Sequence, residues 1–191
     1  MSTWINNAAG LLAMAALAAC ATGVGGIRSA AILDGQITVQ APTGYCIDPG
    51  AGSTDADSAV VLMGRCNAAI KQVPAVLTLS AGQAGSAGAI ADGGEALAAF
   101  FATDEGRAAL SRDGLAADVE VVEAFSLGDA YLMRVQDRAV GEYWRGITGL
   151  RGRVMMLSVS GPPGRPLSPA DGRALLEAGL AALRRANVGG A

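Results

Sequence analysis

Three alternating segments near the end of the chain constrain its fold more than any other feature of the sequence. Apolar and polar residues alternate along 130–136 (AYLMRVQ), 142–149 (EYWRGITG) and 153–160 (RVMMLSVS), which predicts three strands. Leu150-Arg151-Gly152 joins the last two segments and indicates a hairpin turn. The segments therefore predict an antiparallel sheet with its strands in chain order.

One amphipathic helix is predicted directly after these strands. Ser168 is typical of an N-cap, and Pro169 suits the first helical position. Leu176, Leu180 and Leu183 then recur on one face, with Leu175 beside them, as expected for a helix packed on a sheet. The helix is expected to end near Asn187.

The first half of the chain predicts a second group of strands followed by helix. Strands are expected at 36–40, 45–47, 59–63 and 75–80, with a Gly/Ala linker at 81–92. Leu97, Phe100 and Phe101 have helical spacing, and Thr103 is a candidate N-cap, so 93–112 is one kinked helix or two short ones. The fold class predicted is α+β, with an antiparallel sheet, a helix between its two halves and a C-terminal helix packed on it.

An apolar run precedes this domain. Residues 8–19 (AAGLLAMAALAA) are apolar and uncharged, shorter than the roughly 20 residues that span a bilayer and typical of a signal peptide. The segment Leu17-Ala18-Ala19-Cys20 resembles the lipobox of bacterial lipoproteins. The resemblance implies a signal peptide at 1–19, a diacylglycerol and an acyl chain such as palmitate on Cys20, and Ala21 as a signal for the outer membrane. The alternative is a buried N-terminal helix with Cys20 in its core.

The expected organisation follows from this resemblance. After the signal peptide, 20–35 would be the lipidated cysteine and a flexible tether of small residues, and 36–191 a single α+β domain. The protein would then be anchored in the cell envelope and face the periplasm.

The cysteine count fits an exported protein. Of Cys20, Cys46 and Cys66, lipidation would account for the first and leave the other two to pair in an oxidising compartment. The alternative is two reduced, buried thiols. Two cysteines without a histidine do not make a zinc site, so no metal is expected.

A second, less specific resemblance covers residues 36–187. The pattern YWRGITGLRGRVMMLSVSG followed by one amphipathic helix resembles the small sheet-plus-helix proteins of the Mog1/PsbP-like group. The chain also resembles uncharacterised exported proteins of alphaproteobacteria that carry a GYC-D…VLMG-C segment. These resemblances imply a fold and name no activity.

Composition excludes several classes of function. The chain has no histidine, which rules out a Ser-His-Asp triad and a Cys-His dyad. Its formal net charge is −3 and it has no basic run, which argues against binding nucleic acid. No catalytic residue and no cofactor is predicted.

Two small groups of residues are candidates for binding. Tyr143, Trp144 and Arg145 are residue types enriched in interfaces, although alternation places Trp144 on the opposite face from the other two and favours a core position for it. Asp55 and Asp57 lack the spacing of a Ca²⁺ loop and are read as a solvated acidic loop.

These observations favour a non-catalytic binding or assembly module of the cell envelope, whose partner is an envelope protein or a cell-wall component. Two alternatives are also compatible with the sequence. One is an envelope enzyme that uses a pair of carboxylates. The other is a cytosolic binding domain of the Mog1-like kind, with reduced cysteines.

Overall fold

The computed structural model describes residues 26–188. Within this range the chain forms nine β-strands and three α-helices. The strands are β1 (Ser29–Ile32), β2 (Ile37–Gln40), β3 (Tyr45–Thr54), β4 (Ala59–Arg65), β5 (Val76–Ala81), β6 (Val119–Leu127), β7 (Ala130–Asp137), β8 (Gly141–Leu150) and β9 (Arg153–Ser160). The helices are α1 (Gly93–Ala102), α2 (Asp104–Leu110) and α3 (Pro169–Asn187).

Seven of the strands form one antiparallel sheet in the order β3-β4-β5-β9-β8-β7-β6. The pairing of β5 with β9 joins the two halves, and α1 and α2 lie between these halves in the sequence. β1 and β2 form a separate hairpin. The predicted α+β class is confirmed, with two short helices where one or two were expected.

The turn between β8 and β9 illustrates why the predicted pairing forms. Arg151 and Gly152 both have positive φ, at 50° and 74°, as in the two-residue hairpin turn whose twist matches the strands. Leu150 pairs with Arg153 across it. The loop therefore fixes which side chains of β8 and β9 share a face.

The first face of the sheet is covered by α3 and by the β1–β2 hairpin. The Ser168 hydroxyl accepts a hydrogen bond from the Asp171 N–H at 3.1 Å, so the predicted N-cap begins the helix. Leu176, Leu180 and Leu183 are buried against this face together with Trp144. The largest hydrophobic core lies here.

The second face is covered over only part of its width. The helical stretch is interrupted at Thr103, between α1 and α2. The Thr103 hydroxyl accepts a hydrogen bond from the Gly106 N–H at 3.0 Å and so caps α2. Phe101 is buried here, whereas Phe100, expected on the same helical face, is 39% exposed and meets the Phe101 ring edge to face. Side chains of β4 and β5 on this face remain half-buried, as at Leu62 and Thr78.

The described fold includes residues before the predicted boundary at residue 36. Ser29–Ile32, within the expected tether 20–35, forms β1 and pairs with β2, and Ile32 is buried. The predicted signal peptide and Cys20 lie outside the described residues. Among residues 26–188, none of the helices combines the length and apolar character needed to cross a bilayer.

Candidate functional site

A cleft opens on the second face of the sheet, where α2 ends beside β8 and β9. It has a volume of about 300 Å³. We call it the arginine cleft; its lining is Ala109, Leu110, Ser111, Arg112, Asp137, Val140, Tyr143, Arg145, Ser158 and Ser160. The floor is formed by alternate residues of β8 and β9, since Tyr143 pairs with Ser160 and Arg145 with Ser158.

Arg145 is the most distinctive residue of this cleft. It is half-buried on a central strand, and its Nε donates a hydrogen bond to the Ser158 hydroxyl at 3.0 Å. Its guanidinium lies over the Tyr143 ring, 5.0 Å from the ring centroid, a cation–π arrangement. No carboxylate of residues 26–188 lies within 4 Å of its nitrogens. The cation is thus held in place while its terminal nitrogens carry no salt bridge within the described chain.

The lining of the arginine cleft also contains one carboxylate and a second arginine. Asp137 is fully buried, and its two oxygens accept hydrogen bonds from the N–H groups of Arg112 at 2.9 Å and Ala139 at 2.6 Å. These bonds connect the residues after α2 to the β7–β8 turn. The exposed Arg112 side chain forms no salt bridge in the part of the chain described here.

A larger cleft of about 620 Å³ adjoins the first. The two share Arg112, Val140 and Ser160 as lining residues, and the second is closed on one side by the segment 161–166. That segment, GPPGRP, is the stiff connection between β9 and α3. Together the clefts form a groove along this end of the sheet.

The predicted interaction set Tyr143, Trp144 and Arg145 is divided between the two faces of the sheet. Tyr143 is buried, and its hydroxyl donates to the Leu110 carbonyl at 2.8 Å. Burial raises the pKa of Tyr143, an effect that Arg145 opposes and Asp137 reinforces. Trp144 is 3% exposed in the core beneath α3. Of these three residues, only Arg145 brings a charged group to the cleft.

The other charged residues of this region form salt bridges with one another, and Arg134 contacts both Glu142 and Glu123. Arg134 bonds Glu142 at 2.9 Å, and Arg138 bonds Asp118 at 3.3 Å. Asp129 contacts Arg184 of α3. The two adjoining clefts contribute one carboxylate each to the groove, Asp137 and Glu142. Backbone N–H groups engage Asp137, and Arg134 engages Glu142.

Asp57 and Asp55 have structural contacts. Asp57 Oδ1 lies 2.6 Å from a guanidinium nitrogen of Arg153, and its carboxylate also accepts from the Ala84 N–H. The hydrogen bond from Arg153, followed by that from Ala84, holds the pKa of Asp57 below its usual value. Asp55 accepts from the Ser58 hydroxyl at 3.4 Å. Within residues 26–188, no three acidic or thiol side chains cluster as a metal site.

The two described cysteines form a disulfide. Cys46 and Cys66 are 20 positions apart in the sequence and are bonded in the structure. Cys46 lies on β3 opposite Gly64, and the Cys66 N–H donates to the Gly44 carbonyl, so the bond closes the end of the β3–β4 hairpin away from its turn.

Sequence reasoning missed several residues of the cleft. Ser158 and Ser160 alternate with Leu157 and Val159, so the strand pattern and the predicted hairpin turn together could have placed Ser158 opposite Arg145 and Ser160 opposite Tyr143. Arg112 had no such signal, because its approach to the cleft depends on where α2 ends.

No protein-family model matches the chain, and no curated protein matches it either. One solved structure, a mutant of the protein Mog1, is similar to it with 11% sequence identity and a TM-score of 0.47. The similarity covers 83% of this chain and 93% of that one. No residue role and no activity follows from a similarity at this level.

Proposed function

We propose that this protein is a lipid-anchored binding module of the cell envelope, held by Cys20 and facing the periplasm, and that the arginine cleft is its recognition surface. The observation that carries the binding role is Arg145. Arginine is almost never fully buried unless it is paired, because burial removes its charge from water. Here the guanidinium has no acidic partner within residues 26–188 and borders a cleft.

Two observations support the envelope location. The LAAC segment ends at Cys20 with the spacing of a lipobox, and the Ala at position 21 favours the outer membrane. The disulfide between Cys46 and Cys66 fits an oxidising compartment such as the periplasm, and fits less well with a cytosolic domain.

The anchor is tested by the intact mass of the protein from the membrane fraction of its native host, without reductant. We expect a chain that begins at Cys20, carries acyl groups and lacks two hydrogens because of the disulfide. A Cys20→Ser variant should leave the membrane fraction. An unlipidated mass that begins near Met1 with three free thiols would refute the anchor and the compartment together.

The recognition surface is tested by photo-crosslinking in the native host. A photoreactive amino acid at position 160, in the cleft, should form an adduct with an envelope component. The same amino acid at position 151, exposed on the β8–β9 turn, is the matched control. Equal adduct yields at the two positions would reject the cleft as the recognition surface.

A further inference from the structure

From the arginine cleft we infer that Arg145 binds the carboxylate of a ligand with an apolar body. This inference rests on the proposed recognition role of the cleft and names the chemical class of its ligand.

The geometry of Arg145 leaves a donor pair for such a ligand. Nε is occupied by the Ser158 hydroxyl, and the Tyr143 ring contacts the guanidinium on one side. Nη1 and Nη2 form no hydrogen bond or salt bridge with any residue of 26–188. Two parallel N–H groups match the two oxygens of a carboxylate. Because the side chain is already held, binding costs little of its conformational entropy.

The charge of the lining favours a group with one negative charge. Arg145 and Arg112 each carry a formal positive charge, and Asp137 carries a formal negative one. The balance is a single positive charge. A phosphate dianion would therefore retain an unbalanced charge close to Asp137, whereas a carboxylate would be neutralised.

The remaining lining suits an uncharged, largely apolar body. Leu110 and Val140 line the cleft, and Val76 and Pro162 continue the apolar surface into the adjoining cleft. The Ser160 hydroxyl lies between the two clefts and can take part in one polar contact. A volume of about 300 Å³ is at the small end of ligand sites, which fits a small carboxylate or the end of a chain.

The test uses the full chain purified in detergent, with benzoate as the probe and benzamide as its uncharged counterpart. The Arg145 Nε–H and the Ser160 amide are followed by ¹H–¹⁵N NMR. We expect benzoate to produce saturable shifts of both signals and benzamide to produce none. Inorganic phosphate should bind more weakly than benzoate, and an N-acetylated peptide with a free C-terminus should bind better than its amide if the natural carboxylate belongs to a peptide.

Variants tie the binding to the guanidinium. Arg145→Gln should weaken benzoate binding by about tenfold or more, as expected for the loss of a bidentate charged contact. Arg145→Lys should recover part of the affinity, since it keeps the charge without the planar donor pair. Arg151→Gln, on the exposed turn, is the matched control and should bind as the wild type does.

Equal shifts with benzoate and benzamide, or equal affinity in Arg145→Gln, would overturn the inference. So would the absence of saturation with benzoate in the wild-type chain, a comparison that needs no variant to fold. Tighter binding of phosphate would overturn the choice of a carboxylate. If benzoate fails while position 160 still crosslinks to an envelope component, the ligand class is wrong and the proposed recognition surface stands.

Discussion

At the scale of single residues, the Arg153 side chain forms hydrogen bonds with three loops that lie far apart in the sequence. It is 4% exposed and donates to the carbonyls of Asp57 and Gly82 at 2.7 and 2.9 Å. A weaker contact of 3.4 Å reaches the Gln36 side chain. Its partners lie as many as 117 positions away in the sequence, so no local pattern could have indicated the role of this arginine.

Arg153→Met should therefore destabilise the domain. The substitution removes the donor to two part-buried carbonyls, a loss that should cost about 1–3 kcal/mol. Urea denaturation gives the free energy of unfolding. Arg151→Met removes a neighbouring exposed arginine and should change that free energy little; equal losses in the two variants would contradict the role of Arg153.

The Asp57 carboxylate should make the stability of the folded domain depend on pH in the acidic range. Its pKa in the folded protein lies below the ordinary value of 3.8, mainly because of the Arg153 hydrogen bond. The stabilisation of the fold by the ionised Asp57 is thus complete when the pH is above that ordinary pKa. It is lost as the pH falls through the lower pKa of the folded protein. Asp57→Asn should be less stable than the wild type at pH 6 and should match it in strong acid. Asp55→Asn, two positions earlier, is the control, and a stability gap that persists in strong acid would rule out the carboxylate as its source.

At the scale of elements, glycines allow α3 to pack closely against the sheet. A Cβ at Gly172 would lie 2.5 Å from Cδ1 of the Trp144 ring, and one at Gly179 would lie 2.5 Å from a Leu157 methyl group. The two positions differ in what must move. An indole that is 3% exposed has little freedom, whereas a leucine methyl can shift with a rotation of its side chain.

Gly172→Ala should destabilise the domain more than Gly179→Ala. Alanine in place of glycine favours a helix by about 1 kcal/mol, and overpacking a core costs about 1–3 kcal/mol. At position 172 we expect the overpacking cost to exceed the gain in helix propensity, with a net loss of up to about 2 kcal/mol in unfolding free energy. At position 179 the two contributions should nearly cancel. Thermal unfolding of both variants measures the difference, and a Gly172→Ala protein as stable as the wild type would show that the indole moves freely.

The C-terminus of α3 is joined to β2 by one side chain. Asn187 accepts from the Thr38 N–H at 3.0 Å and donates to the Thr38 carbonyl at 2.7 Å. Asn187→Ala should cost about 1–3 kcal/mol because both groups are part-buried. It should also speed amide hydrogen exchange at Thr38 specifically. Arg185→Ala, on the same exposed turn, should leave that amide protected; a Thr38 exchange rate unaffected by Asn187→Ala would refute the link.

At the scale of the whole molecule, local patterns predicted the elements and a sheet in two halves with α3 packed on it, but not which strands join the halves. Alternation and capping gave β7, β8, β9 and α3 with nearly their observed bounds, because these signals depend on adjacent residues. The pairing of β5 with β9 joins segments whose paired residues lie more than 70 positions apart, as Thr78 and Ser158 do. The cleft depends on that arrangement. The residue type of Arg145 made it a candidate from sequence alone, whereas most of the residues around it come from elements distant in the sequence.

The disulfide makes one last prediction about the whole domain. In the chain-entropy account, a bond between residues 20 positions apart stabilises the fold by about 3 kcal/mol, because it restricts the unfolded chain. β3 and β4 are already paired by hydrogen bonds, so the native sheet should persist when the bond is reduced. Wild-type protein should therefore lose about 3 kcal/mol of unfolding free energy on adding reductant, while its circular dichroism spectrum stays the same. Cys46→Ser should match the reduced wild type and respond to reductant no further. If the wild type is equally stable with and without reductant, the cross-link contributes nothing to the fold, and its support for an oxidising compartment is withdrawn.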